Sequence, residues 1–296
     1  MIILININIL KKFTNIIIKL GKIIPDKIFL KALYYKFMGK RLNLKEPKTF
    51  TEKLQWLKLY NRKPIYSQYV DKENIKAIVA SKIGKEYVIP TLKVWNKFDD
   101  IDFKTLPNQF VLKCTHDSGG VIICDDKSQL DFSKTRNKIE SSLKNNFYNK
   151  FREWPYKNVS PRIIAEQYII DPSMPNDLMD YKFFCFHGNP RFLKVDFDRQ
   201  TNHRANYYDL NWNLLPFGEY DYPPCPDKII KKPDNFAKMI EIARILSRDT
   251  TFIRVDLYNI NGKIYFGEMT FFPAAGIGKF TEDKWDNILG ELIHIK

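Results

Sequence analysis

The sequence predicts an α+β fold of antiparallel hairpins with amphipathic helices packed on them, and three observations predict it. Strand-like stretches come in pairs joined by tight turns, as in "RVDLYNINGKIYFGEMT" at 254–270. Stretches with helical spacing, such as "TFTEKLQWLKLY" and "FAKMIEIARILS", lie between the hairpins. Units of the strand–helix–strand kind are few, and no internal repeat or low-complexity linker interrupts the chain.

In chain order, "NLKEPKTFTEKLQWLKLYNRK" (43–63) starts a helix at Thr51 that turns Leu54, Leu57 and Leu59 or Trp56 to a core. "YVDKENIKAIVASKIGKEYVIP" reads as a helix from near Asp71, closed by Gly84 and followed by a strand into Pro90. "QFVLKCTHDSGGVIICDD" reads as strand, Gly-containing loop and strand. "DFSKTRNKIESSLKNNFYNKF" is a polar helix and "PRIIAEQYII" a buried strand. "MDYKFFCFHGNPRFLKVDFDR" is a hairpin turning at Gly188-Asn189-Pro190, and "ANYYDLNWNLLPF" an aromatic hairpin. A Pro-rich loop (223–226), the helix "FAKMIEIARILS" and the 254–270 hairpin complete the order.

A chain of 296 residues is long enough for a sizeable core and two or three subdomains sharing one site. With 44% hydrophobic residues it is too apolar for disorder and too polar for an integral membrane protein. Its net charge of +14 favours an anionic partner. Residues 1–40 carry eight lysines and one acid, Asp26, among Ile, Leu and Phe. No apolar run there approaches the ~18–20 residues of a spanning helix. No basic region precedes the apolar start and no cleavage site is clear, so the stretch is not read as a signal peptide. It fits a basic amphipathic helix on an anionic membrane face, or a helix whose apolar stripe packs on the domain behind it. Cys114, Cys124, Cys185 and Cys225 lack metal spacing and read as reduced thiols of a cytoplasmic protein. The four histidines give no zinc signature.

Four constellations carry chemistry. Alternation puts Arg254 and Asp256 on one face of their strand, and Glu268 and Thr270 on one face of theirs. Two carboxylates and a hydroxyl are hard oxygen donors suited to Mg²⁺, and a cross-strand salt bridge is the plainer alternative. In "VLKCTHDSGG", Lys113 near a strand end and the loop Asp117, Ser118, Gly119 and Gly120 can cradle phosphates, or form an ordinary hairpin loop. No helix follows and no G-K-[ST] occurs, so it is not a Walker A. Glu166 in "IIAEQYII" is costly in an apolar strand unless paired or ligand-bound, or unless it points to solvent. Asp71-Lys72 opens a helix, where a cap and a solvated lysine would be unremarkable.

In this order and at these separations, the four pieces resemble the ATP-grasp superfamily of carboxylate–amine ligases over residues 65 to 280. They are most similar to its TupA-like branch, found with bacterial surface-polysaccharide and teichuronopeptide genes. The stretches that carry this are "NLKEPKTFTEKLQWLKLY", "FVLKCTHDSGG", "DYKFFCFHGNPRFLKVDFDR" and "RVDLYNINGKIYFGEMTFFPAAG". The resemblance implies an ATP-grasp fold, two α+β subdomains gripping ATP, with an N-terminal helical extension. The implied division is an extension (1–64), the start of the core (65–105), a small subdomain with phosphate loop and hinge (106–170), and a C-terminal subdomain with the Mg site (171–296).

By the same resemblance Lys72 and Lys113 contact ATP phosphates, and Asp117 to Gly120 form the covering loop. Glu166, Gln167 and Ile169 form the adenine hinge, and Asp180 binds the ribose. Asp256, Glu268 and Thr270 are the Mg²⁺ ligands, Thr270 standing where such ligases commonly carry Asn, and Arg254, beside the acyl-phosphate, and Lys113 are the catalytic residues. The implied reaction joins a carboxylate and an amine through an acyl-phosphate, releasing ADP and phosphate, with a uronate or other anionic saccharide as acceptor. Arg199, His203 and Arg204 are candidates for that acceptor's anion. The implied setting is the cytoplasm, with peripheral membrane contact through residues 1–40. Three rivals stand beside it: a glycosyltransferase using Asp196-Phe197-Asp198 as a D-x-D motif, a phosphotransferase of the same superfamily, and a nucleic-acid binder. The last lacks a recognised module, and no nucleic acid is expected as a partner.

Overall fold

A computed structural model describes residues 20–172 and 178–295. Among them every strand pairs antiparallel, in two sheets. The smaller sheet holds β1 (Thr91–Trp95), β2 (Phe110–Cys114), β3 (Val121–Cys124) and β4 (Ile163–Gln167), in the order β1-β4-β2-β3. The larger holds β5 (Asp180–Phe186), β6 (Asn189–Phe197), β7 (Arg204–Asp209), β8 (Phe252–Ile260) and β9 (Lys263–Thr270), in the order β7-β6-β5-β8-β9.

Around them lie α1 (Asp26–Met38), α2 (Phe50–Tyr60), α3 (Ile65–Val70), α4 (Asn74–Ile83), α5 (Phe132–Lys144), α6 (Phe147–Phe151), α7 (Phe236–Ser247) and α8 (Asp283–Glu291). Thr49 and Glu52 close a capping box at the start of α2, whose Leu54 and Leu57 are buried as the spacing predicts. The helix expected near Asp71 starts three residues later. The Asp71 carboxylate accepts from the amides of Glu73 (2.9 Å) and Asn74 (3.2 Å) and holds the turn before α4. The strand expected to run into Pro90 instead follows it, as β1. The single polar helix of 131–151 is two helices broken at Asn145 and Asn146.

The β5–β6 turn sits at His187 and Gly188, both at positive φ, rather than at Gly188-Asn189-Pro190. Pro190 lies within β6 because β7 joins only opposite Phe192, so its missing N–H leaves no ladder bond unmade. The expected second aromatic hairpin reduces to β7 and one bridge, Tyr208 to Leu214.

One face of the large sheet is apolar and covered by α7. Phe183 stacks on Phe236 at 6.0 Å, and the Cys185 thiol meets the Ala243 carbonyl. The opposite face carries the charges. Asn261 and Gly262, at φ 49° and 81°, make the β8–β9 turn. Past it, a bulge at Gly267 sets Phe266 opposite Leu257 and Glu268 opposite Asp256. Strict alternation would place Phe266 beside Glu268; the extra residue sends the ring to the core and the carboxylate to the charged face.

Helix α1 buries Phe29, Leu30, Ala32, Leu33 and Tyr34 against Leu42 and Leu44. Its Asp26 accepts from Arg62 (2.6 Å) and from the Tyr148 hydroxyl (2.5 Å), and pairs with Arg152 (2.9 Å). Residues 26–38 therefore pack on the domain, and the rest of the 1–40 expectation lies largely outside the described residues. Among the described residues no helix is long and apolar enough to cross a membrane. Cys114, Cys124 and Cys185 are buried free thiols, and Cys225 is partly buried.

Candidate active site

On the small sheet, β2 alternates Phe110, Leu112 and Cys114 inward, which leaves Val111 and Lys113 on the other face. Glu166 of β4 lies opposite Val111, so its side chain shares that face. Its oxygens are 2.5 Å from Lys76 of α4 and 2.5 Å from Lys113. Burial raises the Glu166 carboxyl, but Lys113 and Lys76 overcome this and hold it below its ordinary range. Neither the solvent-facing alternative nor an open acceptor describes Glu166. An adenine amino group there would compete with two ammoniums.

The loop from Thr115 to Gly120 is fixed by its own Asp117. One oxygen accepts from the Gly120 amide at 3.2 Å, and the other takes the Ser142 hydroxyl of α5. Lys72 is not solvated: its ammonium donates to the Asp117 carbonyl and its amide to Thr115. Burial lowers its pKa, and Glu268 and Asp117 oppose that. The two loop glycines differ. A Cβ on Gly120 would run into the Ser142 hydroxyl and lie 3.1 Å from Cys114 Sγ, whereas Gly119 has nothing within 4 Å. Gly120→Ala should therefore displace the loop from α5 and lower the melting temperature, and Gly119→Ala should leave it unchanged. Equal melting curves for the two variants would refute this packing.

On the large sheet, Arg254 grips Asp256 with two bonds, from Nε and an η-nitrogen, each 2.7 Å. The same η-nitrogen reaches Glu268 at 3.2 Å and Thr270 at 3.1 Å, and the Thr270 hydroxyl donates to Glu268 at 3.1 Å. Asp256 is 1% exposed, whereas the Glu268 side chain is 45% exposed and forms the open side of the cluster. Burial raises the Asp256 carboxyl, yet Arg254 and Lys182 hold it well below the usual range. So the salt-bridge alternative describes these contacts as they stand. The pair also offers hard oxygens on directly opposed residues. Among the described residues no three or more His, Cys, Asp or Glu are arranged so as to hold a metal ion by themselves, so a cation here would need further oxygens from a ligand.

Sequence reasoning missed two lysines. Lys182 is buried, bonds Asp180, and lies 2.9 Å from Asp256 and 3.6 Å from Asp196. A lysine inside the apolar strand "DYKFFCF" is the same signal that singled out Glu166. Lys76 lies in the first turn of α4, four residues after Lys72, and also donates to the Ile89 carbonyl at 2.8 Å.

Asp180 lies on the charged face of β5, held by Lys182 and 3.5 Å from Arg199. His203 is 3.7 Å from Asp196 and its ring packs on Tyr222 at 4.0 Å, so Arg199 and His203 meet at one end of this face. Arg204, paired with Phe197, alternates to the other face. Gln167 ends β4, and Ile169 follows in the connection that leaves it. Asp196 and Asp198 are engaged by different lysines, Lys194 (3.4 Å) and Lys228 (3.2 Å), rather than left open as a metal pair.

The two sheets share these charges: Lys72 and Lys113 both sense Glu268 of β9. Residues 52–294 match the family model described as TupA-like ATPgrasp. The chain belongs to the TupA-like ATP-grasp family. Its fold is the ATP-grasp fold, α+β with the helix α1 ahead of it.

The comparison with solved structures gives distant ATP-grasp ligases. The D-alanine–D-alanine ligase of Bacillus anthracis, complexed with ATP, is 16% identical over 69% of this chain and 54% of its own, with a TM-score of 0.39. The L-amino acid ligase of Bacillus licheniformis is 13% identical over 77% of this chain and 50% of its own (TM-score 0.43). The D-alanine–D-alanine ligase of Helicobacter pylori is 14% identical over 77% of this chain and 63% of its own (TM-score 0.43). The TupA-like chain thus spans between half and two thirds of these proteins. No curated protein matches its sequence.

Proposed function

We propose that this TupA-like protein is an ATP-dependent carboxylate–amine ligase working through an acyl-phosphate. The observation that carries the reading is the set of cations around Asp256 and Glu268. Lys182 and Arg254 approach from the large sheet, and Lys72 and Lys113 from the other side. That is the charge a triphosphate with one divalent cation asks for.

In this reading Lys72, Lys113 and the loop 117–120 hold phosphate oxygens. Lys182 neutralises the transferring phosphoryl group, and Arg254 the oxygen of the acyl carbon as it gains charge. Asp256 and Glu268 would hold Mg²⁺, which when bound supplies Lewis-acid neutralisation of the β- and γ-oxygens. Thr270 orients Glu268. Glu166 keeps Lys76 and Lys113 charged and in place, and the end of β4 from Gln167 to Ile169 borders the base. The carboxylate substrate is an anionic saccharide or uronate of a bacterial surface polysaccharide, which suits the net charge and Arg199 with His203. The same reading puts the enzyme at the cytoplasmic membrane face, met through residues 1–40.

Saturating Mg-ATP should stabilise the protein by about 2.7 kcal/mol at a hundredfold excess over Kd, raising the melting temperature by several degrees. Glu268→Gln should remove that rise. Stabilisation by a UDP-sugar and not by ATP would sink the reading in favour of glycosyl transfer. With candidate uronates and amino acids, a coupled assay should find ADP and phosphate; release of AMP would exclude the acyl-phosphate.

A further inference from the structure

At the β6–β7 end of the charged face, buried polar atoms go without hydrogen bonds. Asp196 is 3% exposed and lies opposite Asp180 across the β5–β6 ladder. Its Oδ1 accepts no hydrogen bond among the described residues, although the Lys194 ammonium stands 3.4 Å away. The Nε2 of His203, in the connection between β6 and β7, is buried and unbonded too, 3.7 Å from the other Asp196 oxygen. Burial raises the Asp196 carboxyl, but Lys194 and Lys182 overcome this and hold it below its ordinary range. An ionised carboxylate only accepts, so its unbonded oxygen calls for a donor.

These atoms have a fixed aromatic wall. The Tyr222 ring packs on the His203 ring at 4.0 Å, and the Lys194 ammonium lies 4.6 Å from its centroid. The segment that carries Tyr222 is fastened at both ends. The Thr281 amide donates to the Gly218 carbonyl at 2.8 Å, and Cys225 and Asn206 exchange two bonds of 2.8 Å each. Tyr222 is still 37% exposed, so apolar surface borders the unbonded atoms.

The charges decide what kind of donor fits. Lys194 is matched by Glu219 at 2.7 Å, and Lys182 by Asp180 and by Asp256 at 2.9 Å. A further ammonium at Asp196 would meet those two cations, and an anion there would meet Asp196 itself. A neutral hydroxyl meets neither objection. It can donate to Asp196, and it can bond His203 in either direction. A molecule with several hydroxyls and an apolar face to lay on an aromatic ring is a sugar. Position agrees with this. The Lys182 ammonium is 3.6 Å from Asp196, so a carboxylate brought to Lys182 for phosphorylation leaves its own ring beside Asp196.

We propose that Asp196 and His203 select the carboxylate substrate by reading the hydroxyls of its sugar ring, which lies against Tyr222. This deepens the ligase reading and rests on it for where the carboxylate points. The three residues set specificity and leave the phosphoryl chemistry to Lys182 and Arg254.

Saturation-transfer difference NMR with Mg-ADP present tests this on sodium D-glucuronate, D-galacturonate and D-mannuronate. Cyclohexanecarboxylate serves as a ring of equal charge without hydroxyls. At least one uronate should bind saturably, and the cyclohexane acid should bind at least roughly tenfold more weakly. Asp196→Asn and Tyr222→Ala should each weaken the uronate, and Tyr222→Phe should keep it; His203→Ala replaces Asp196→Asn if that variant does not fold. No saturable uronate, equal binding of the cyclohexane acid, or variants that all bind like wild type would overturn the assignment. So would an Asp196→Asn protein that keeps the uronate and loses its stabilisation by Mg-ATP, since the carboxylate would then serve the ribose of the nucleotide. A uronate site in a protein that Mg-ATP fails to stabilise would leave the sugar site standing and remove the ligase reading. Stabilisation by Mg-ATP without a uronate site would remove only this inference.

Discussion

Arg254→Met should lower stability by about 3 kcal/mol, the lower end for breaking a buried ion pair, and abolish ADP release. The guanidinium makes two short bonds to Asp256 and reaches across to Glu268 and Thr270 on the neighbouring strand. Without it, a carboxylate 1% exposed keeps Lys182 alone. That remaining partner sets the loss at the lower end. The pH dependence has a definite sign. Asp256 is held below its unfolded pKa, so its contribution is present above that value and lost as pH falls through the folded one. The deficit of Arg254→Met should thus be full near neutrality and shrink in acid. Adding Asp256→Asn should return part of the stability and none of the turnover. Urea unfolding of the three proteins measures this, and an Arg254→Met protein as stable as wild type would refute the buried pair.

The second large effect is expected at Glu166. Glu166→Gln leaves Lys76 and Lys113 facing each other over a neutral amide, at a cost of about 3–5 kcal/mol. Glu166 is held below its ordinary range, so its contribution exists above the unfolded pKa and disappears as pH falls through the folded one. The gap between variant and wild type should close in strong acid. At the alkaline end it should also narrow. Glu166 is what raises Lys113 against burial, and without it both ammoniums shed protons sooner. Urea midpoints across pH would show a gap widest near neutrality; a gap independent of pH would mean that the ion pairs contribute nothing.

These two sites were legible in the sequence for different reasons. Arg254, Asp256, Glu268 and Thr270 could be read from alternation on two strands around a turn. Their direct opposition could not, because it depends on the bulge at Gly267, and one extra residue reverses every face beyond it. Glu166 was legible as a charge in an apolar strand, but its partners were not, since Lys76 comes from a helix ninety residues earlier. Lys182, a charge inside the apolar strand "DYKFFCF", obeys the same rule as Glu166. Helix starts shifted by a few residues where Asp71 capped a turn rather than the helix itself.

The ion pairs of Glu166 bear on how a nucleotide would come and go. Lys76 and Lys113 are already matched inside the protein, at 2.5 Å each, so no mobile salt ions need be expelled when a triphosphate arrives. In the ligase reading, arrival would transfer Lys113 from one anion to another, and ionic strength should weigh on it less than on a site lined with bare ammoniums. Departure has a matching benefit. In that reading Glu166 would take Lys113 back, and the cleft would reset from within once the spent nucleotide leaves.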